Sequence, residues 1–360
     1  MAQLSHLLHF LVEQRGSDLI VKVGSVPHVR RDGRLHATSI SAMGPAEIEA
    51  LVAELIPIEK AEELAERGEA DIAHSVSGVG RFRVNVYRQR GSLGMAIRRV
   101  LPGAPSIADL NLPPVVERIA SEEHGLILVT GPASSGKTTT VSGIVDHINA
   151  SRSAHIVTLE DPIEVLHSDK QSMVSQRELG SDAADLATSL RRVGRQDADV
   201  VYVTEVNDPA VAAAALHEAA AGRLVISTMT TLTAAQSVTR FVEFFPPHQQ
   251  RQARRELGAV LRGVVTQRLL DRADGRGRIP AVEVLVGTQK VMDTLIAGTD
   301  EEALEQLITE GEYHGMQSFD QALFQLYKQN LIAVREALAA ASRPEDLRIT
   351  LGQAGYSAAH

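Results

Sequence analysis

The sequence predicts an α/β protein built on a mostly parallel sheet with helices on both faces. A small α+β module precedes that sheet and a helical region follows it. Three observations carry this expectation. First, near-continuous apolar runs alternate with helical segments: LILVT (126–130), HIVTLE (155–160), DVVYVTE (199–205), RLVISTM (223–229) and AVEVLV (281–286). Strands buried on both faces read this way. Second, the strand-like runs before residue 100 alternate apolar with polar residues, as antiparallel strands do. Third, GPASSGKTTT (131–140) stands between the run LILVT and a helical segment, the setting in which a glycine-rich loop cradles phosphate.

At 360 residues the chain suits two domains. We expect one over residues 1–100, a linker over 101–114 (LPGAPSIADLNLPP), and a second over 115–360 that turns helical from about 287. The N-terminal stretch MAQLSHLLHFLVEQRGSD carries Leu4, Leu7, Leu8 and Leu11 at helical spacing. It reads as a surface helix, because His6, His9 and Gln14 interrupt any secretory apolar run. SDLIVKVGSVPHVRRDGRLHA follows as two strand-like runs broken by Gly24, Pro27 and an Asp32-Gly33 turn. GPAEIEALVAELIPIEKAEELAERGEA is helical. DIAHSVSGVGRFRVNVYRQRGSLGMAIRRVL reads as antiparallel strands, with Gly91 near a turn.

Composition narrows the function. Hydrophobic residues make up 44% and charged residues 22%, enough for real cores. The net charge of -9 argues against nonspecific nucleic-acid binding and leaves room for a local basic patch. With no cysteine, disulfides, cysteine-bound zinc and thiol nucleophiles are excluded. That and the lack of a secretory stretch fit a cytosolic protein. No run of 18 apolar residues is present.

Four stretches carry chemistry. In the first, Gly131, Gly136, Lys137 and Thr138 satisfy G-x-x-x-x-G-K-[ST]. Backbone amides around Ser134, Ser135, Gly136, Lys137 and Thr138, continuing to Thr139, converge on phosphate at a helix N-terminus. Lys137 reaches the β and γ oxygens, and Thr138 offers a hydroxyl to Mg²⁺. The site therefore calls for a nucleoside triphosphate, ATP or GTP, with Mg²⁺. In the second, TLEDPIEVLH (158–167), Glu160, Asp161 and Glu164 follow a strand. They suit work on a water or metal; the plain alternative is a charged turn. In the third, DADVVYVTEVNDP (197–209), a buried strand leads to Glu205 between Asp199 and Asp208, a Walker B arrangement. In the fourth, Arg81, Arg83, Arg88, Arg90, Arg98 and Arg99 crowd 80–100. Arginine forks suit triphosphate oxygens; a solvated basic face is the alternative.

In this order and spacing the four stretches resemble the secretion-type ATPases, most of all the PilT/PilU twitching-motility family of type IV pilus retraction ATPases. The resemblance covers nearly the whole chain. TLEDPIEVLH is similar to the family's aspartate box and RFRVNVYRQRG to its arginine strand. FFPPHQQRQARRELGAVLRGVVTQRLL and HGMQSFDQALFQLYKQNLI resemble its late helices. The resemblance implies a PAS-like N-terminal domain, a RecA-like ATPase domain and a cytoplasmic homohexamer. It implies work on the inner-membrane platform protein of the pilus, with only peripheral membrane contact, and a paralogous retraction ATPase as a further partner. Within it, Glu164 takes the place of the water-polarising glutamate and Glu205 that of the Walker B glutamate. Arg83 and Arg98 match the arginines that meet phosphate. The chain starts directly at the small domain and lacks cysteine, which favours retraction over assembly.

The sequence departs from the family pattern at five positions. Ser134 stands where many such loops have glycine. Thr204 and Asn207 flank Glu205 in place of glycine and arginine. Arg223 and Thr230 replace the two histidines of G-H-L-V-x-x-T-L-H-T. We expect all five around one site, with binding better preserved than turnover, because Thr230 cannot titrate near neutral pH. Three readings stand: an active pilus motor, a weakly hydrolysing regulatory subunit, and a motor of a related secretion or DNA-uptake system.

Overall fold

A computed structural model describes residues 2–31, 34–298 and 301–354. The expected Asp32-Gly33 turn lies outside them. The chain divides into two compact units. One is Met1–Pro102 with Glu164–Leu166, and the other is Gly103–Ile163 with His167–His360.

The first unit runs α1 (Ala2–Glu13), β1 (Asp18–Lys22), β2 (His28–Arg31), β3 (Arg34–Ala37), α2 (Pro45–Leu55), α3 (Ile58–Arg67), β4 (Glu69–Val76), β5 (Gly80–Gln89) and β6 (Ser92–Pro102). Its sheet has the order β3-β2-β1-β6-β5-β4, all antiparallel. A two-residue strand, β9 (Val165–Leu166), joins β6 in parallel through Leu101 and Pro102. Alternation decides which face is dry. Phe82, Val84 and Val86 of β5, with Met95 and Ile97 of β6, pack against Leu4, Leu7, Leu8 and Leu11 of α1 and Ile48 and Leu51 of α2. The helical stretch expected over 44–70 is broken, because Pro57 forces the preceding Ile56 into extended backbone and separates α2 from α3.

The second unit begins with α4 (Val115–Ala120), β7 (Gly125–Thr130), α5 (Lys137–Ser151), β8 (His155–Glu160), β10 (Met173–Glu178), α6 (Leu186–Leu190), β11 (Val200–Val203), α7 (Pro209–Ala220) and β12 (Leu224–Met229). It continues with α8 (Ala234–Glu243), α9 (Gln250–Val260), β13 (Leu261–Asp271) and β14 (Arg278–Val286). Helices α10 (Gln289–Ala297), α11 (Glu301–Glu310), α12 (Phe319–Lys328), α13 (Val334–Ala340) and α14 (Pro344–Gln353) complete it. The seven strands take the order β10-β8-β11-β12-β7-β13-β14. The first six are mutually parallel, and β14 is antiparallel to β13.

Both faces of this sheet are covered. Leu126, Leu128, Val201, Val203 and Val225 belong to a core with Ala212, Ala215, Phe241 and Leu257 from α7, α8 and α9. The intervening Ile127, Val129, Val200, Tyr202 and Ile226 pack with Val116, Val141, Ile144 and Ile148 from α4 and α5. The C-terminal helices and the turn between α12 and α13 bring Phe319, Leu323, Ile332 and Leu347 onto Leu270 and Ile279. Among the described residues, no helix is long and apolar enough to cross a membrane.

Two expectations are corrected here. The segment 101–114 is not a free linker: Leu101 and Pro102 end β6, and Ile107 and Leu112 are buried in the second unit's core. Apolar anchors outweigh its proline content. Residues 261–271, read with the family's late helices, form strand β13. Its run Val264-Val265-Thr266 is β-branched, and it lies between β7 and β14. At Gly263 a Cβ would come within 2.7 Å of Ile119, so the strand needs a bare backbone there to approach α4.

Candidate nucleotide site

Parallel strands aim all their carboxyl ends at one edge of a sheet, and ligands collect there. On this edge lie Thr130 closing β7, Glu160 closing β8, Glu205 beyond β11 and Thr230 beyond β12. The loop 131–136 joins β7 to α5 across the same edge. Gly131 has φ 150° and Gly136 φ 89°. A Cβ on Gly131 would run into the Gln267 carbonyl and the Ser135 side chain. The loop's tightness thus requires glycine at this position. Ser134 holds φ 62° without that freedom and so stores backbone strain.

Lys137 opens α5 and folds back over the loop. Its ammonium donates to the carbonyls of Gly131 at 2.9 Å and Pro132 at 3.1 Å. Burial pushes the lysine's pKa below its ordinary range, and the nearby Glu205 carboxylate pulls it back up. Behind the loop, Gln267 of β13 donates to the Ser135 carbonyl at 2.6 Å. The Ser135 hydroxyl and the Gln267 amide oxygen are buried without hydrogen-bond partners. Backbone amides at a helix N-terminus, the buried Ser135 hydroxyl and the Lys137 ammonium are the donor set that suits a phosphate anion.

Glu205 is half-buried, and Thr230 donates to its Oε1 at 3.0 Å. Glu160 is 5% exposed and accepts from Thr158 at 2.6 Å and Gln176 at 2.9 Å. The two acids flanking Glu205 in sequence have structural tasks. Asp208 caps α7 through the amides of Ala210 and Val211, and Asp199 accepts from the amide of His155. A chain of buried hydroxyls runs under the loop: Thr231 to Ser237 at 2.6 Å, Ser237 to Thr130 at 3.0 Å, Thr130 to Thr266 at 2.7 Å. It ties the segment after β12 to the foot of the phosphate loop.

The second unit therefore brings together Gly131, Ser134, Ser135, Gly136, Lys137, Thr138, Thr139 and Glu205. Glu164, Arg83 and Arg98 belong to the first unit. Glu164 is exposed and directly precedes β9. Arg83 and Arg98 stand opposite each other on β5 and β6. Arg98 donates to Asp18 at 2.8 Å, and Arg30 lies 3.7 Å from the same carboxylate.

One departure from the family pattern is not at this site. Arg223 precedes β12 at its amino end, where its carbonyl accepts from Gly125 at the start of β7. Six strand residues, about 20 Å, separate it from the loop edge. Its guanidinium pairs with Glu218 at 2.7 Å and donates to the Ala198 carbonyl at 3.2 Å. The five altered positions thus do not share one site. Gln267 and the hydroxyl chain were missed in the sequence, because they come from β13 and α8, far along the chain from the loop. The local signal available was the β-branched run Val264-Val265-Thr266.

A parallel sheet with this loop, lysine and strand-end carboxylate defines a P-loop nucleotide hydrolase. The family model described as "Type II/IV secretion system protein" matches residues 110–301. The type IV pilus ATPase PilU of Pseudomonas aeruginosa is 33% identical over 349 residues, covering 97% of this chain and 91% of that one. The type IV pilus retraction ATPase PilT of the same organism is 32% identical over 343 residues, 95% and 99% of the two chains. A crystal structure of the pilus retraction motor PilT with bound ADP superposes with a TM-score of 0.86 at 36% identity, covering 95% of this chain and 99% of that one. The chain belongs to the type II/IV secretion system ATPases, in their type IV pilus retraction branch.

Proposed function

We propose that this ATPase is the ATP-burning motor of a type IV pilus, powering retraction and twitching. The observation that carries the reading is Lys137, held over the loop carbonyls with Glu205 close enough to act on its charge. In this reading Lys137 exchanges those neutral acceptors for the β and γ oxygens of ATP. The amides of 134–138 hold the β-phosphate, and the Ser135 hydroxyl gains a partner. Thr138 would hold the Mg²⁺ that arrives with the nucleotide, an ion that would neutralise phosphate charge. Glu205 and Glu164 orient the attacking water, while Arg83 and Arg98 meet developing phosphate charge.

The working assembly in this reading is a cytoplasmic homohexamer acting on the inner-membrane platform protein of the pilus, with a paralogous ATPase as a further partner. Phosphate release by the purified full chain tests the enzyme half. Turnover should be at least about 10²-fold above a Lys137→Ala variant, and equal rates would sink the motor reading. Glu164→Gln should keep nucleotide binding and lose hydrolysis. Deletion in the host should abolish twitching; unimpaired twitching would refute the pilus assignment.

A further inference from the structure

Thr230 stands where the family carries a histidine, and its hydroxyl is engaged. It donates to Glu205 Oε1 at 3.0 Å across 25 residues of sequence. The two strand ends are laced together just before this contact. The Val206 amide donates to the Thr228 carbonyl at 2.9 Å, and the Thr228 hydroxyl donates to the Thr204 carbonyl at 2.6 Å. Residues two apart on an extended chain face the same way, so Thr228 and Thr230 both turn toward the end of β11. One clamps the backbone that carries Glu205, and the other grips its carboxylate. The next residue, Thr231, is anchored through Ser237 to the root of the phosphate loop. Thr204, the other oddity here, supplies the carbonyl that Thr228 holds.

We infer that Thr230 is a positioning residue for Glu205, holding its carboxylate through a hydroxyl that stays neutral across the working pH range. The inference rests on the reading of Glu205 as a catalytic carboxylate. Its chemical consequence is specific. An imidazole titrates near roughly 6.5, changing its charge and donor set as it does. A threonine hydroxyl remains a neutral donor throughout that range. The Lys137 ammonium from α5 interacts with the Glu205 charge; Glu160 ends β8, the strand paired with β11, and Asp208 is engaged at the cap of α7. A histidine at 230 adds a titrating neighbour to that set.

Steady-state turnover of the full chain from pH 6 to 8.5 tests this. The variants are Thr230→Val, Thr230→Ser, Thr230→His and, as a reference, Glu205→Ala, each with ADP affinity and melting temperature measured. Thr230→Val should lose about 10-fold in kcat, with KM and ADP affinity within about twofold. Thr230→Ser should recover most of that loss. Thr230→His should make kcat rise or fall through pH 6–7 where the wild-type profile lacks that inflection. A wild-type kcat in Thr230→Val beside a dead Glu205→Ala overturns the inference and leaves the role of Glu205 standing. An active Glu205→Ala overturns that role and the inference with it. Parallel losses of kcat, ADP affinity and melting temperature in both Val and Ser variants reduce Thr230 to packing, which also overturns it. Should Thr230→Val not fold, a Thr230→Ser profile matching wild type and an inflected Thr230→His profile support the inference. A Thr230→His profile matching wild type refutes it.

Discussion

The two edges of the second unit's sheet treat buried carboxylates in opposite ways. At the amino edge, Glu218 is paired: Arg223 holds it at 2.7 Å, and His217 lies 3.2 Å from its other oxygen. At the carboxyl edge, Glu283 of β14 takes the amide of Ala234 at 2.5 Å. Burial raises its pKa to about 7, opposed by that amide and by Arg268 and reinforced by Glu305 and Asp320. An ion pair suits an edge whose task is to hold helix to strand. At the carboxyl edge neutral donors reach the carboxylates: Thr158 and Gln176 at Glu160, Thr230 at Glu205 and the Ala234 amide at Glu283. A site that receives a polyanion gains from keeping its few cations, Lys137 above all, uncommitted to fixed carboxylates. The two departures from the expected histidine pattern, Arg223 and Thr230, therefore mean different things.

The largest test of this contrast is at Glu283. Its folded pKa of about 7 lies above the ordinary 4.5, so the folded chain binds that proton more tightly than the unfolded one. The associated stability is complete below about pH 4.5 and is lost as pH rises through about 7. Glu283→Gln keeps an acceptor for Ala234 and removes the titration. The variant should gain on the wild type by up to about 3 kcal/mol between pH 4.5 and 8, seen as a converging and then reversed difference in melting temperature. A constant difference across that range would show that Glu283 does not titrate there.

A smaller effect is expected at the other edge. Arg223→Ala strands Glu218, whose side chain is 3% exposed, while Arg223 itself is 22% exposed. The cost is about 2 kcal/mol, below that of a fully buried pair. Melting temperature should fall while KM for ATP and turnover per folded molecule stay within about twofold. A selective loss of turnover would place Arg223 in the nucleotide site after all. The smallest effect belongs to the loop. Ser134→Gly relieves a left-handed backbone but adds freedom to the unfolded chain. Stability should change by less than about 1 kcal/mol, and ADP should bind at least as well. A tenfold weaker ADP affinity would show that the serine hydroxyl takes part in binding.

How much of this was legible in the sequence depended on distance along the chain. Gly131, Gly136, Lys137 and Thr138 are contiguous, and strand-loop-helix is a local pattern, so the phosphate loop could be read directly. The runs at 126–130, 155–160 and 223–229 announced buried parallel strands because both their faces are apolar. Residues 261–271 were misread because Arg262, Gln267 and Arg268 interrupt the apolar run. Only the neighbours β7 and β14 make a strand of it. The partners Thr230 and Glu205 lie 25 residues apart, and Gln267 meets Ser135 across 132. Sequence by itself determined most of the elements, the loop and the class of chemistry, since periodicity and short motifs act over a few residues. Tertiary structure alone decided which edge Arg223 occupies and which oxygen Thr230 holds. Strand register and order are set by packing of the whole sheet, and no local stretch encodes them.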